Sequence, residues 1–177
     1  VFISLPGDIL NMEAVIDLGQ STRVDAVVRP SDATLKNLAR RLSRAGSPVI
    51  IAGHEIISSD ALNESAQLAD MLGAPVYQPT VTDGAHFYSE HPAFLGSLNR
   101  DQRYVREVLS NHDVLVCLGA DLLRMSVYSD IDPLPDDISV IQIGQRDWEM
   151  GKNYPVDLAL RADVKETITA LLPILAD

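Results

Sequence analysis

The sequence predicts a doubly wound α/β fold of the Rossmann-like type, in which helices cover both faces of a mostly parallel sheet of five or six strands. Two apolar runs, at residues 49–52 and 114–118, lack the polar alternation of a half-exposed strand. Segments with helical periodicity alternate with such runs, which is typical of βαβ units joined by right-handed crossovers. We therefore expect both runs to lie in the middle of the sheet.

The first thirty residues show little periodicity and are predicted to stand apart from this fold. Residues 1–30 are interpreted as the end of a preceding domain and an interdomain linker, with one short helical turn near Met12. Residues 1–5 are interpreted as the tail of a strand whose sheet lies elsewhere. Residues 31–177 then form one α/β domain, which is long enough to bury a substantial core.

Capping residues and apolar spacing predict four helices in this domain. Each begins near a Ser or Asp whose side chain can accept hydrogen bonds from free backbone amides. Each also places apolar residues at intervals of three and four, so that one face of the helix packs on the sheet. The predicted starts are, in chain order, Ser31 or Asp32, Ser59 or Asp60, Asp101, and Asp163.

Short β-branched runs between the helices predict the strands. The stretch from Pro79 to Asn99 is rich in turn-forming residues and is predicted to be mostly loop. Trp148 lies in a predicted turn, where it would either cover a sheet edge or anchor an interface. The five predicted strands are residues 49–52, 76–77, 114–118, 140–143 and 158–160.

Charge and cysteine content limit the classes of partner and location. The chain has 14 Lys and Arg against 25 Asp and Glu, and its net charge of -11 repels phosphate backbones and anionic lipids. We therefore expect neither nucleic acid nor membrane as a partner. The single cysteine, Cys117, lies in an apolar run and has no partner for a disulfide, which favours a cytoplasmic location.

Open parallel sheets bind ligands beyond the carboxyl ends of their strands, which here places Gly53, His54, Gly119 and Ala120 at the predicted ligand edge. Neither the segment that begins at Gly53 nor the one that begins at Gly119 has the second and third glycines of a dinucleotide fingerprint. A nucleotide-binding module for ADP, NAD or FAD that uses these four residues is therefore the alternative interpretation of the chain.

The sequence predicts no metal site and no catalytic residue. Its four histidines do not sit at i, i+4 on one helix and have no cysteine pair nearby. No Gly-x-Ser-x-Gly elbow is present, and a mid-strand Cys117 cannot present a thiolate. The chain alone is therefore expected to be inactive. The histidines are His54, His86, His91 and His112.

Five segments between residues 2 and 120 share their order and spacing with a known family, and the resemblance extends over nearly the whole chain. They read Phe-Ile-Ser-Leu-Pro-Gly-Asp at residues 2–8, Ser-Pro-Val-Ile-Ile-Ala-Gly at 47–53, Leu-Gly-Ala-Pro-Val at 72–76, His-Pro-Ala-Phe-Leu-Gly at 91–96, and Asp-Val-Leu-Val-Cys-Leu-Gly-Ala at 113–120. Together they resemble the central domain of thiamine diphosphate-dependent enzymes. The branch they resemble most is that of the benzoylformate decarboxylases.

The resemblance implies a parent enzyme in which this central domain lies between a pyrimidine-binding and a diphosphate-binding domain of the same chain, in a homo-oligomer. Those two domains would hold the parent's thiamine diphosphate and Mg²⁺, so no cofactor is expected in this chain. The implied reaction is the decarboxylation or carboligation of a 2-keto acid, with this domain as a non-catalytic part.

Two loops depart from the patterns of relatives. The acetohydroxyacid synthases, which hold FAD, have Gly-Met-His-Gly where residues 96–99 read Gly-Ser-Leu-Asn, so no flavin is expected. The loop after the strand at 114–118 is expected to face the parent's active site through Arg124, Met125, Ser126 and Tyr128. Its Ser126 stands where benzoylformate decarboxylases have a proton-transferring histidine, a role that serine cannot fill at neutral pH.

The same loop contains four apolar residues that predict an interaction. A free solvent loop is rarely so apolar, and we expect another part of the full-length protein to cover them. These residues are Leu122, Leu123, Met125 and Val127.

Overall fold

A computed structural model describes residues 2–177 and contains one sheet of six parallel strands. The strand order is β3-β2-β1-β4-β5-β6, so the chain winds outward in both directions from the central pair β1 and β4. These are the two apolar runs singled out above, and the predicted doubly wound fold is confirmed. The strands are β1 (Pro48–Ala52), β2 (Val76–Gln78), β3 (Phe94–Ser97), β4 (Val114–Leu118), β5 (Ser139–Gly144) and β6 (Leu158–Arg161).

Residues 2–177 also contain six α-helices and one 3₁₀ turn. None of the helices in the described part of the chain is long and apolar enough to cross a bilayer. The helices are α1 (Gly7–Leu10), α2 (Asp32–Leu42), α3 (Glu55–Ser58), α4 (Leu62–Leu72), α5 (Gln102–Leu109) and α6 (Val164–Ala176), and the 3₁₀ turn is Asp147–Glu149.

Alternate residues of the central strands point to opposite faces of the sheet and build two cores. Ile50 and Val116 belong to the core that contains the buried faces of α2, α4 and α6. Ile51 and Cys117 belong to the other core, which α5 and the loop around Leu122 cover. Burial on both faces explains why neither strand shows polar alternation.

Side-chain caps begin three of the predicted helices, but the prediction for α4 is wrong. The Ser31 hydroxyl accepts from the amide of Thr34 at 3.2 Å, and Asp101 and Asp163 cap α5 and α6 in the same manner. Helix α4 begins only at Leu62 and has no side-chain cap: the Ser59 hydroxyl donates to the carbonyl of Glu55 in the preceding helix, and Asp60 has a φ of +55° with its carboxylate on Lys165.

Two further elements differ from the prediction. The stretch predicted as loop contains β3 at the edge of the sheet, where side chains alternate between half-buried and exposed. The short helical turn predicted near Met12 is present at Gly7–Leu10, and the amide of Met12 donates to the carbonyl of Ile9 at 3.1 Å. Residues 2–5, interpreted as the tail of a strand, form no strand and pair with none of the six strands of the described residues; Val1 lies outside these residues.

Residues 2–29 are exposed and make little contact with the sheet. The amide of Asp163 donates to the carbonyl of Val28 at 2.8 Å, which attaches the end of this segment to the start of α6. The division into residues 1–30 and 31–177 remains a prediction. Trp148 is 66% exposed, so it does not cover the sheet edge, and its role as an interface anchor is untested.

Candidate functional site

The carboxyl ends of β1 and β4 meet at the point where the chain changes winding direction, which is the predicted ligand edge. Gly53 approaches the β4 loop so closely that a Cβ at this position would lie 2.2 Å from the carbonyl oxygen of Gly119. Its amide donates to the carbonyl of Leu118 at 2.9 Å. The two loops are thus packed against each other, and no gap remains between them for a pyrophosphate.

The side chain of Glu55 fills the space beside these loops. A Cβ on Gly119 would lie 2.6 Å from the Cβ of Glu55, and a Cβ on Gly144 would lie 2.9 Å from its Oε2. Gly119 also has a φ of +62°, a conformation that favours glycine. The glycines after β4 and at the end of β5 therefore make room for a carboxylate of the protein itself.

Three charged residues form an ion-pair network at this edge. Glu55, which is 9% exposed, accepts from the amide of Gln145 at 2.6 Å and from Arg146 Nε at 3.1 Å. Arg146 Nη2 lies 2.9 Å from Asp121 Oδ1, an ion-pair contact without hydrogen-bond alignment. Burial opposes the charge of Arg146, but its hydrogen bond to Glu55 and the nearby carboxylates outweigh this effect and raise the pKa of Arg146.

A cavity of about 200 Å³ opens beside this network. Three of the four residues of the predicted nucleotide pocket, His54, Gly119 and Ala120, line it, while Gly53 is packed beneath them. The loop after β2 closes the opposite side. The remaining lining residues are Pro79, Val81, Asp83, His86, Asp121, Arg124 and Arg146.

Two histidines and one aspartate cluster on one side of this cavity. His86 is 2% exposed, and its Nε2 lies 2.7 Å from Asp83 Oδ1. His54 Nδ1 lies 3.5 Å from the other oxygen of Asp83. The hydrogen bond with His86 lowers the pKa of Asp83, so the carboxylate is ionised at neutral pH. The Nδ1 atom of His86 has no hydrogen-bond partner among the described residues.

The other two histidines hold loops and lie away from the cavity. His91 Nδ1 accepts from the amide of Ala93 at 3.2 Å, and His112 Nδ1 lies 3.2 Å from the hydroxyl of Ser47. Sequence spacing alone did not indicate the cluster, because His54 and His86 follow different strands. The only local signal was Asp83 three residues before His86, which is also the spacing of an ordinary turn.

The loop after β4 carries the four residues predicted to face the parent's active site. Arg124, Ser126 and Tyr128 are exposed, and Met125 is half-buried against the core. The carbonyl of Arg124 accepts from Thr80 Oγ1 at 3.2 Å, and that of Val127 accepts from Gln102 Nε2 at 2.5 Å. The loop is thus attached to the body of the domain, while the side chains of Arg124, Ser126 and Tyr128 remain free to contact other groups.

The prediction that the apolar residues of this loop need cover from outside is wrong for two of the four. Leu122 and Leu123 are 3% and 4% exposed and belong to the core under α5. Leu123 reaches the core through a backbone φ of +42°, a conformation that is uncommon for leucine. Val127 is 64% exposed, as the prediction requires.

Comparisons with known proteins agree with this fold. Residues 35–171 match the family described as "Thiamine pyrophosphate enzyme, central domain". A benzoylformate decarboxylase from Pseudomonas aeruginosa is 26% identical over 97% of this chain and 33% of its own length. A sulfoacetaldehyde acetyltransferase from Roseovarius nubinhibens is 32% identical over 99% of this chain and 29% of its own length.

The structural similarity is equally extensive. A protein from Mycobacterium smegmatis, described as a thiamin diphosphate-dependent enzyme, superposes with a TM-score of 0.80 at 27% identity, over 89% of this chain and 31% of that one. The chain thus spans about a third of the length of its relatives. Because the family match extends over most of the domain and the solved structure shares its fold, the chain belongs to the family of thiamine pyrophosphate enzyme central domains.

Proposed function

We propose that this chain is the non-catalytic central domain of a thiamine diphosphate-dependent enzyme that decarboxylates a 2-keto acid or ligates it to a second carbonyl compound. The observation that carries the proposal is the ligand edge itself. In a fold that usually binds ligands between its central strands, Glu55, Arg146 and the packed loops after β1 and β4 occupy that position. A domain with a structural role can have its ligand edge occupied by its own side chains, whereas a nucleotide-binding domain needs that space for the ligand.

The residues of this chain do not fit thiamine diphosphate or its Mg²⁺. A diphosphate needs backbone amides that it can approach and a bound cation, but the loop of Gly53 is packed against Gly119. The two largely buried carboxylates at the ligand edge, those of Glu55 and Asp121, are already paired with Arg146. In our proposal the cofactor and its metal are therefore held by pyrimidine-binding and diphosphate-binding domains outside this chain, in a homo-oligomer.

In this proposal, the domain presents the loop after β4 to the substrate end of the active site. Arg124 could pair there with a substrate carboxylate, since its side chain is 75% exposed and its contact with Asp121 is a loose 3.7 Å. Tyr128, at 88% exposed, offers an aromatic ring and a hydroxyl without a partner in its surroundings. Ser126, also exposed, lies between them and can donate a hydrogen bond, but it cannot accept and return a proton at neutral pH.

The alternative, a nucleotide-binding module, has less support. The cavity beside the network holds about 200 Å³. Ligand sites for molecules of drug size are larger, at about 300 Å³ or more. The fold similarity to nucleotide-binding proteins is an analogy and carries no site of its own.

The decisive experiment compares this chain with a longer protein that contains it. Each is incubated with thiamine diphosphate, Mg²⁺ and a set of 2-keto acids, with and without an acceptor aldehyde, and products are identified by NMR. We expect the longer protein to consume at least one 2-keto acid and this chain to consume none. Release of CO₂ without the acceptor identifies a decarboxylase, and a new carbon–carbon bond identifies a carboligase.

Two results would reject the proposal. One is turnover of a 2-keto acid by this chain alone, and the other is calorimetric binding of ADP, NAD or FAD to it at micromolar concentration. The assigned loop is tested by Ser126→His in the longer protein, which should raise benzoylformate turnover by up to about 100-fold. Efficient turnover that is the same with Ser126 and with Ser126→Ala would show that the loop lacks this role.

A further inference from the structure

His54, Asp83 and His86 bring two imidazoles and one carboxylate together at the carboxyl edge of the sheet. One ligand atom from each residue lies within 4.8 Å of the other two. His54 lies two residues after the end of β1, whereas Asp83 and His86 lie on the loop after β2, so the fold assembles the cluster from two adjacent strands. We propose that this cluster binds a divalent transition-metal ion such as Zn²⁺.

The distances are close to those that a tetrahedral metal requires. Bonds of about 2.0–2.1 Å to nitrogen and oxygen place tetrahedral ligand atoms about 3.3 Å apart. His54 Nδ1 is 3.5 Å from Asp83 Oδ2, which is already near this value. His86 Nε2 is 2.7 Å from Asp83 Oδ1, since a hydrogen bond now joins them. The neutral imidazole of His86 would bind the ion through Nε2 and carry its single proton on Nδ1 instead, and the two atoms would separate by about 0.6 Å.

The least mobile ligand is already aimed at the site. His86 is buried, and its Nε2 makes the only hydrogen bond of the ring among the described residues. Gln78 Nε2 donates to the carbonyl of Gly84 at 2.9 Å and so fixes the turn between Asp83 and His86. The other two ligands, His54 and Asp83, have side chains that are 58% and 68% exposed, so they can adjust and leave an entry path.

The surrounding charges do not repel a cation. Two guanidinium groups line the same cavity, but Arg146 contacts both Glu55 and Asp121, and Arg124 lies 3.7 Å from Asp121. The two positive charges are thus balanced by two carboxylates before Asp83 is counted. The net charge of the whole chain, -11, also favours cations over anions.

The donor set selects the class of ion. Two imidazole nitrogens and one carboxylate suit Zn²⁺, Co²⁺ or Ni²⁺, whereas Mg²⁺ and Ca²⁺ prefer sites built from oxygen. Three protein ligands leave a fourth position for water or another small ligand, and the cavity adjoins it. This site is separate from any Mg²⁺ that accompanies thiamine diphosphate, and the proposal does not depend on the proposed function.

The test is a titration of Zn²⁺ into this chain, followed by calorimetry and by competition with a chromophoric chelator. We expect one ion per chain, no displacement by excess Mg²⁺, and a change in the visible spectrum when Co²⁺ is used instead. His54→Gln and Asp83→Asn should each weaken Zn²⁺ binding by at least about 10-fold. Loss of a residue that only hydrogen-bonds to a metal ligand already lowers metal affinity by about 10-fold or more, and these two residues are ligands themselves. His91→Gln is the matched control: His91 also lies 3.5 Å from one aspartate, but outside the cluster, so binding should be unchanged.

The proposal fails if the wild-type chain shows no saturable Zn²⁺ binding, or if His54→Gln and Asp83→Asn bind Zn²⁺ as tightly as the wild type. His86→Asn could unfold the chain because His86 is buried, so the decision rests on the two exposed ligands. Circular dichroism confirms that each variant is folded before titration. Because the readout is Zn²⁺ binding, its failure leaves the proposed enzymatic role untouched, and the absence of 2-keto acid turnover leaves the metal site untouched.

Discussion

Gly53 stands where the chain leaves β1, and the absence of a side chain lets the backbones after β1 and β4 touch. An added Cβ would lie 2.2 Å from the Gly119 carbonyl oxygen and 2.4 Å from the Cα of Ala120, both of them backbone atoms that cannot move aside cheaply. We expect Gly53→Ala to lower the free energy of unfolding by about 3 kcal/mol, the upper part of the range for overpacking. Urea denaturation measures the change.

Gly84→Ala is the matched control for this substitution. A Cβ on Gly84 would meet no atom within 4 Å, and the residue has no positive φ. The free energy of unfolding of the Gly84→Ala variant should therefore change little, or rise slightly because alanine lowers the conformational entropy of the unfolded chain. Equal destabilisation by both substitutions would show that the close contact at Gly53 is not what the stability depends on.

Glu55 carries the ion-pair network that fills the ligand edge. Glu55→Gln keeps a similar shape but removes the charge that Arg146 and the amide of Gln145 bind. Hydrogen bonds to charged groups contribute about 1.5–3 kcal/mol, so we expect the free energy of unfolding to fall by about 2 kcal/mol. Asp136→Asn, which breaks a 3.5 Å ion pair between Arg106 and an almost fully exposed carboxylate, should cost under about 0.5 kcal/mol. A similar decrease in the free energy of unfolding in both variants would mean that the burial of Glu55 does not make its ion pair more stabilising than an exposed one.

The structure of the ligand edge was only partly predictable from the sequence. Glycines after apolar strands locate that edge, and Gly53 and Gly119 do meet there. What fills it was not predictable, because Glu55 and Arg146 are 91 residues apart and neither lies in a recognisable motif. The cluster of His54 with Asp83 and His86 was missed for the same reason: it depends on the pairing of β1 with β2.

At the scale of elements, β4 pairs with both β1 and β5 along its whole length, and all five of its residues are buried. Burial raises the pKa of the Cys117 thiol, and the charge of Asp121 adds to this effect. Cys117 should therefore resist thiol-labelling reagents in the folded chain and react only at the rate of unfolding. We expect its labelling to accelerate in step with the loss of structure as urea is raised.

Fast labelling in native buffer would contradict the central position of β4. The pH dependence provides a second check. Because the pKa of Cys117 is raised in the folded state, the thiol's contribution to stability is complete below its unfolded pKa of about 8.5 and declines as the pH rises above it. Cys117→Ser should weaken this alkaline decline, apart from an overall loss of stability caused by burying a hydroxyl.

Elements with strong periodicity were predictable, and those decided by tertiary contacts were not. The apolar faces of α2 and α6 and their caps follow from local sequence. The start of α4 does not, because α3 ends just before it: Ser59 donates to the carbonyl of Glu55, and Asp60 has a φ of +55° that is not an N-cap conformation. Strand β3 was missed because its four residues lie in a turn-rich stretch, and only edge pairing with β2 makes them a strand.

At the scale of the whole molecule, residues 2–29 differ from the rest. They are exposed throughout, although they include many large apolar residues. Apolar surface of this extent is rare on a free domain and usually contacts a partner. In a longer protein that contains this chain, we expect these side chains to lie against its other parts, as the predicted linker at residues 1–30 requires. The most exposed of them are Phe2, Ile3, Met12, Val15, Ile16, Leu18 and Val24.

Limited proteolysis tests this division. Arg23 is the first basic residue of the chain, and Arg29 precedes Pro30, a bond that trypsin does not cleave. Because residues 2–23 are exposed and make few contacts with the domain, trypsin should cut first after Arg23 and leave a fragment that begins at Val24. The hydrogen bond between Asp163 and Val28 should hold the rest in place. In a longer protein that contains this chain, the same bond should be cleaved more slowly, and mass spectrometry of a time course measures both rates. Earlier cleavage inside residues 31–177 would contradict the division of the chain at residue 30. Equal cleavage rates in the two proteins would show that other parts of the longer protein do not cover this segment.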